Sequence, residues 1–204
     1  MGRTITNYGR INSQSATIIT AQNLNNNNSQ IASGDTLTLN ITGDVTNQNG
    51  AVIYASNDLT INADTINNAN ATIFSQDGNI TLDRTQGVKN SSLTNSAGTI
   101  ESMAGDIRID TNNLTNTMDH FASVYMPSFN ENGSVNYGSI DTDHPSEYRH
   151  AYWERHEQFL YIFRITGSNG APSLISSGRD ISINATSMLN KASQISAGRD
   201  IIIY

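Results

Sequence analysis

The chain has 204 residues, of which 36% are hydrophobic and 14% charged, and its formal net charge is −7. No basic run of five or more exists, so nucleic-acid binding and contact with an anionic membrane are disfavoured, and no apolar stretch nears the roughly 20 residues that span a bilayer. Cysteine is absent, which excludes disulfides, thiol catalysis and Cys-based zinc sites.

From Ile5 onward the apolar residues fall into three rows that repeat about every twenty residues, the signature of a repeat architecture. One row is Ile5, Leu24, Val45, Ile66, Val88, Leu114 and Leu189. A second is Ile11, Ile31, Ile53, Ile73, Ile100, Ile175 and Ile195. The last is Ile18, Leu37, Leu59, Ile80, Ile107, Ile181 and Ile201, most of them with a partner two residues on (Leu39, Ile61, Leu82, Ile109, Ile183, Ile203). Stretches such as Leu37-Thr-Leu39-Asn-Ile41 alternate apolar with polar, as a strand with one buried face does. The apolar residues are mostly β-branched or Leu, and Gly, Asn and Asp punctuate the strands as turn residues. Parallel strands joined at this period by short turns, with no helical spacing between them, predict an all-β chain: a right-handed parallel β-helix, or β-solenoid. No single coil buries enough to stand alone, so each must lean on its neighbours.

Two residues beyond the row that starts at Ile5 lie Asn7, Asn26, Asn47, Asn68, Asn90 and Asn116. Stacked asparagines can hydrogen-bond from coil to coil, so this set is expected to form a structural ladder. The last coil breaks it, with Lys191 in the slot and Asn190 beside it. Asp35, Asp58, Asp77, Asp106, Asp180 and Asp200 recur just before the Ile18 row and read as turn residues. A catalytic carboxylate would have no need to appear in every coil.

Between Leu114 and Leu189 the spacing jumps to 75 residues. The sequence therefore divides into coils at 1–116, an insertion outside the helix at 117–171, and resumed coils at 172–204. All four His, the only Trp, four of five Phe and five of eight Tyr lie in the insertion. Phe121 to Phe129 and Phe159 to Ile165 read as strands of a hairpin or small subdomain. The stretch from Tyr148 to Phe163 also fits a helix, with Ser146 as its N-cap. The rings of the insertion either cover an apolar flank or present a contact surface for a target-cell receptor, protein or glycan, or for the neighbouring stalk; Tyr148, Tyr152, Trp153, Phe159 and Tyr161 are the candidates for contact.

His144, His150 and His156 recur every six residues near Asp141 and Asp143. In a strand that spacing spreads them about 20 Å, so no metal and no cofactor are expected. Glu154 and Glu157 have no oxyanion device or nucleophile elbow beside them. A β-helical enzyme acting on polysaccharides would have Asp44, Asp64, Asp83, Asp110, Arg84 and Arg108 as its groove charges, scattered over successive coils without paired aromatic subsites. A tail-fibre or surface-layer scaffold is a further alternative.

The segments Asn7-Tyr-Gly-Arg-Ile11, Ala51 to Ala63 and Ile175 to Leu189 carry the pattern N-x-G-x-I-x-S…G-D-I-x-I-x-A…L-x-N. It resembles the filamentous-haemagglutinin repeat of two-partner-secreted bacterial exoproteins, over everything but the insertion. The resemblance implies a secreted rod at the bacterial surface, an outer-membrane transporter as its export partner, and a role as adhesin, haemolysin, or stalk of contact-dependent growth-inhibition effectors of the CdiA type. The aromatic interruption that returns at Ala171 to Ile181 favours the last. No secretion leader follows Met1, and the repeat is already running at Ile5 and still running at Tyr204, as expected of an interior piece of a longer chain. The function expected is therefore a non-catalytic stalk segment that extends a distal module toward a target cell.

Overall fold

A computed structural model describes residues 2–85, 87–118, 123–127, 161–165 and 171–204. The chain divides into two compact units, Met1–Asp119 together with Asn169–Tyr204, and His120–Ser168.

In the first unit the strands follow one another in three-strand coils. The first coil holds β1 (Thr4–Asn7), β2 (Arg10–Ser13) and β3 (Thr17–Ala21); the second holds β4 (Asn23–Asn27), β5 (Gln30–Ser33) and β6 (Leu37–Ile41). The third holds β7 (Asp44–Gln48), β8 (Val52–Ala55) and β9 (Leu59–Asn62), and the fourth β10 (Thr65–Ala69), β11 (Thr72–Ser75) and β12 (Ile80–Asp83). The fifth contains β13 (Asn90–Ser96), β14 (Thr99–Ser102) and the first half of β15 (Ile107–Thr117). In the second unit lie β16 (Ser123–Pro127) and β17 (Tyr161–Ile165). The sixth coil of the first unit takes the end of β15 and, after the second unit, β18 (Leu174–Ser177) and the start of β19 (Ile181–Lys191); the remainder of β19, β20 (Gln194–Ala197) and β21 (Ile201–Ile203) finish the unit.

Each of these first-unit strands pairs in parallel with its counterpart one coil on, giving a seven-stranded sheet (β2-β5-β8-β11-β14-β18-β20) and a twelve-stranded one. The larger sheet covers two faces because β15 and β19 run unbroken through the corner: β15 pairs β12 with one end and β13 with the other. This is the right-handed parallel β-helix expected from the repeat. The register follows the predicted rows. Ile11, Ile31, Ile53, Ile73, Ile100, Ile175 and Ile195 stack in unbroken succession. So do Leu37, Leu59, Ile80, Ile107, Ile181 and Ile201. Residues such as Ile31, Leu39, Ile53, Leu59, Ile73 and Leu82 are fully buried. Each methyl-rich side chain thus packs on its like, and burial and dispersion accumulate coil by coil.

Three assignments shift. Ile18 does not join its row; Thr17 and Ile19 face Leu37 and Leu39, and Ile18 points out, 73% exposed. Three consecutive β-branched residues leave the alternation ambiguous by one position, and the partner strand decides it. Val88 is replaced by Leu93, which stacks between Ile66 and Leu114. The reason is a detour at 84–89: Arg84 N donates to the Val88 carbonyl at 2.9 Å, Val88 N donates to Thr85 at 2.8 Å, and Gly87 takes a positive φ of 85°. Lastly, Leu114 pairs with Met188, leaving Leu189 51% exposed.

In the second unit β16 and β17 pair antiparallel, Ser123 opposite Ile165 and Pro127 opposite Tyr161. The remainder of the two strand stretches expected there, and of the alternative helix, lies outside the described residues.

Candidate functional site

Two polar rows run inside the corners. In the first, Asn7, Asn26, Asn47 and Asn68 each donate through Nδ2 to the Oδ1 of the next asparagine up, at 2.8–2.9 Å. The row continues from Asn68 to Asn95, Asn116 and Asn190 at the same distances. From Asn7 to Asn116 each Nδ2 also reaches a carbonyl of the neighbouring coil, as Asn47 does to Thr72 at 3.0 Å and Asn95 to Leu174 at 3.1 Å, whereas Asn190 Nδ2 donates to Ser193 O at 3.3 Å. Asn47, Asn68, Asn95 and Asn116 are fully buried, and their amides are matched to partners at every coil. The expected ladder is therefore present at Asn7, Asn26, Asn47, Asn68 and Asn116, but Asn90 is not in it. The detour delays the coil, Val88-x-Asn90 and Leu93-x-Asn95 carry the same phrase, and the later copy wins. Asn190, not Lys191, continues the ladder. Two residues after a rung the backbone turns left-handed, at Asn28, Asn49, Asn70, Ala97 and Ala192 with φ of 48–59°.

The second row is Ser13, Ser33, Ala55, Ser75, Ser102, Ser177 and Ala197; the hydroxyls of Ser33, Ser75, Ser102 and Ser177 donate to backbone carbonyls at the turn, Ser177 Oγ reaching Gly105 O at 2.8 Å and Asp180 O at 3.0 Å. Outside it the turn carboxylates accept from backbone one coil on: Asn79 N to Asp58, Asp180 N to Asp106, Asp200 N to Asp180, at 2.7–3.1 Å. Asn79, not Asp77, fills this slot in the fourth coil, and Asn79 Oδ1 accepts from Asp106 N at 2.8 Å. Asp35 stands one place earlier, accepting from Asn57 Nδ2 at 2.8 Å. These aspartates are turn residues, as expected. Gly178 and Gly198 are required by close approach, since a Cβ on Gly198 would run into the carbonyl of Gly178.

The fourth coil departs from this regularity. Strand alternation turns Asp83 outward in the row Thr20, Asn40, Asn62, yet Asp83 is 1% exposed because the detour roofs it. Gly87 N donates to Asp83 Oδ2 at 2.6 Å. Burial pushes the Asp83 carboxyl above its ordinary range; the Gly87 hydrogen bond opposes this, Asp110 reinforces it and Arg108 opposes it. Asp110, also buried, lies 2.7 Å from the Arg108 guanidinium and accepts from Asn184 Nδ2 at 3.0 Å. Asp83 Oδ1 and both amide atoms of Asn90 are buried with no hydrogen-bond partner. Arg84 turns away from this pair to meet Asp64 at 3.1 Å. Beside the detour opens a cleft of about 330 Å³, floored by Thr20, Asn40 and Asn62, edged by Ile41 and Thr42, and closed at one end by Arg84 and Thr85.

The haemagglutinin repeat matches residues 1–49, 37–117 and 163–203. The chain belongs to the haemagglutinin-repeat family. Among curated proteins it is 30% identical over 181 residues to "Toxin CdiA" of Escherichia coli, which covers 79% of this chain and 6% of that protein. It is 25% identical over 207 residues to "tRNA nuclease CdiA" of Escherichia coli O6:K15:H31 (strain 536 / UPEC), covering 82% of this chain and 6% of the relative. No solved structure matches. The chain thus spans a small fraction of these relatives.

Within this haemagglutinin-repeat chain, the candidate contact residues Tyr148, Tyr152, Trp153 and Phe159 lie outside the described residues, as do His144, His150 and His156. Tyr161 opens β17, where its backbone faces Pro127. Among the described residues no three His, Asp or Glu side chains gather as metal ligands. Of the groove charges, Asp64 is joined to Arg84 and Asp110 to Arg108, while Asp44 accepts from Thr65 Oγ1 at 2.6 Å. The site that the sequence reading missed is the detour with its cleft. Its one signal was the lengthened step near Val88.

Proposed function

We propose that this chain is a non-catalytic stalk segment of a secreted bacterial surface exoprotein, one that sets the distance between the cell and a distal module. The observation that supports this most is the isoleucine row from Ile11 to Ile195, which stacks like on like from coil to coil without a break, a construction that adds about 4.8 Å per coil. Family membership supports export through an outer-membrane two-partner transporter. The chain spans about 6% of the length of the relatives it matches, which fits a piece of a longer protein. In this reading the insertion at 117–171 is a side feature of the stalk, and Tyr148, Tyr152, Trp153, Phe159 and Tyr161 contact a receptor or the neighbouring stalk.

The test is a coil exchange in the full-length parent protein. These residues are replaced by an equal number of regular coils without insertion, and surface display and action on target cells are measured. A stalk that serves only as spacer keeps both. Loss of action with display intact would show that this segment does more than set length. Restoring the insertion alone then tells whether the aromatic segment is what acts.

A further inference from the structure

We propose that the cleft beside the 84–89 detour is a binding site for a neutral, hydroxyl-rich saccharide. In a stacked repeat, insertions map to loops on one face, often the face that binds. Here the departure is a fixed structure: the detour closes on itself through Arg84 N and Val88 N and is pinned to Asp83 through Gly87 N. Its outer wall, Arg84, is held by Asp64, which also accepts from Ser91 Oγ at 2.9 Å. The Arg84–Asp64 pair is partly exposed and so biases the wall toward this position only weakly.

The chemistry of the lining selects the ligand class. Asn62 Nδ2 donates to Asn40 Oδ1 at 2.8 Å. An amide has two donor hydrogens and two acceptor lone pairs, so this one bond leaves most of the capacity of both groups for a ligand. The two amides sit on adjacent coils about 4.8 Å apart, close to the span across a pyranose ring. Paired donors and acceptors at that spacing suit hydroxyls, each of which donates and accepts. The methyls of the exposed Thr20 and Thr42 offer an apolar edge to the C–H face of a sugar; Ile41 borders the cleft but its side chain packs in the core. Charge argues against an acidic occupant: Arg84 already faces Asp64, and the chain carries −7, so an anion finds no net positive field. The cleft has no aromatic floor, so affinity on the order of millimolar is expected.

Saturation-transfer NMR on the 204-residue chain tests this with maltotriose, chitotriose and mannotriose, with N-acetylneuraminic acid as the acidic comparator. Transfer to at least one neutral trisaccharide is expected, weakened about tenfold by Arg84→Met and by Asn62→Leu. Circular dichroism checks that each variant keeps its strand spectrum; Arg84→Gln replaces any Arg84→Met protein that does not. Tyr54→Ala removes a ring that stacks on Phe74 at 5.8 Å in the seven-stranded sheet and should leave transfer unchanged. The proposal is overturned by no transfer to any neutral sugar at about 10 mM, by tighter binding of the acidic sugar, or by transfer that Tyr54→Ala abolishes and the cleft variants do not.

Discussion

A single asparagine in the ladder serves two neighbours at once. Asn68 accepts from Asn47 and donates to Asn95, so Asn68→Ala strands a buried donor on one side and a buried acceptor on the other. A cost of about 2–4 kcal/mol is expected in urea unfolding. Asn90 has the same residue type and is as deeply buried, yet neither of its amide atoms is partnered. Asn90→Ala should therefore cost less than about 1 kcal/mol, or stabilise, since Asn90 is in register with Thr111 and that residue with Ala185. Equal losses in the two variants would contradict the assignment of the ladder to Asn95. Asp83 supplies a pH dependence. Its folded-state carboxyl titrates above the ordinary value of 3.8, so between those two values the folded chain holds a proton that the unfolded chain has released. This group therefore stabilises the fold less as pH rises through that window, and its full benefit is present below it. Asp83→Asn, which keeps an oxygen for Gly87 N without the charge, should raise stability at pH 7 by on the order of 1 kcal/mol. The advantage should shrink as the pH is lowered toward 4. An advantage that grows on acidification would reverse the sign argued here.

At the scale of elements, the sequence showed most of what repeats and little of what interrupts. Rows such as Ile31-Ile53-Ile73 were legible because like residues recur at near-constant spacing and each strand has one buried face. Ile18 was misplaced because Thr17-Ile-Ile19 alternates equally well in either phase, and only pairing with β6 selects one. The Asn90 rung was misread because a constant period was carried through the detour, and a local excursion leaves the phrase V-x-N looking like L-x-N. The left-handed corners were half legible: Asn28, Asn49 and Asn70 are residue types that tolerate positive φ, whereas Ala97 and Ala192 are not. Ala97→Asn should accordingly stabilise by about 0.5–1 kcal/mol, read from the urea midpoint at constant slope. The detour itself should be removable. Deleting 84–89 joins Asp83 to Asn90-Ser91-Ser92, which matches Asn62-Ala63-Asp64-Thr65 one coil earlier, because Thr65 is already paired with Ser92. That chain should keep its strand spectrum and melt within a few degrees of the parent, while Asp83 loses its roof and titrates as an ordinary carboxylate. Collapse of the β signal on this deletion would mean that the detour nucleates the coil and is not grafted on to it.

At the scale of the whole molecule, the first unit consists of coils that contact only their neighbours, so its stability is close to a sum of coil and interface contributions. The stack does not break where the insertion leaves it. Leu114 pairs with Met188 and Ile100 with Ile175 across that point, as they would in an uninterrupted repeat. The two sides of the exit are also fastened to each other: Ser173 Oγ donates to the Thr117 carbonyl at 2.6 Å, and Met118 N donates to Lys191 O at 3.3 Å. A link of about three residues can therefore bridge Met118 to Ala171. Replacing residues 119–170 with Gly-Ser-Gly shortens the closed loop, which lowers its entropy cost by a logarithmic and hence small amount. The resulting chain should show the same strand spectrum and a melting temperature within about 5 °C of the parent. The measurement is thermal unfolding followed by circular dichroism, on parent and deletion side by side. A deletion that melts far lower or fails to fold would mean that residues 119–170 supply core contacts to the coils, and the β-helix could then no longer be treated as an independent support.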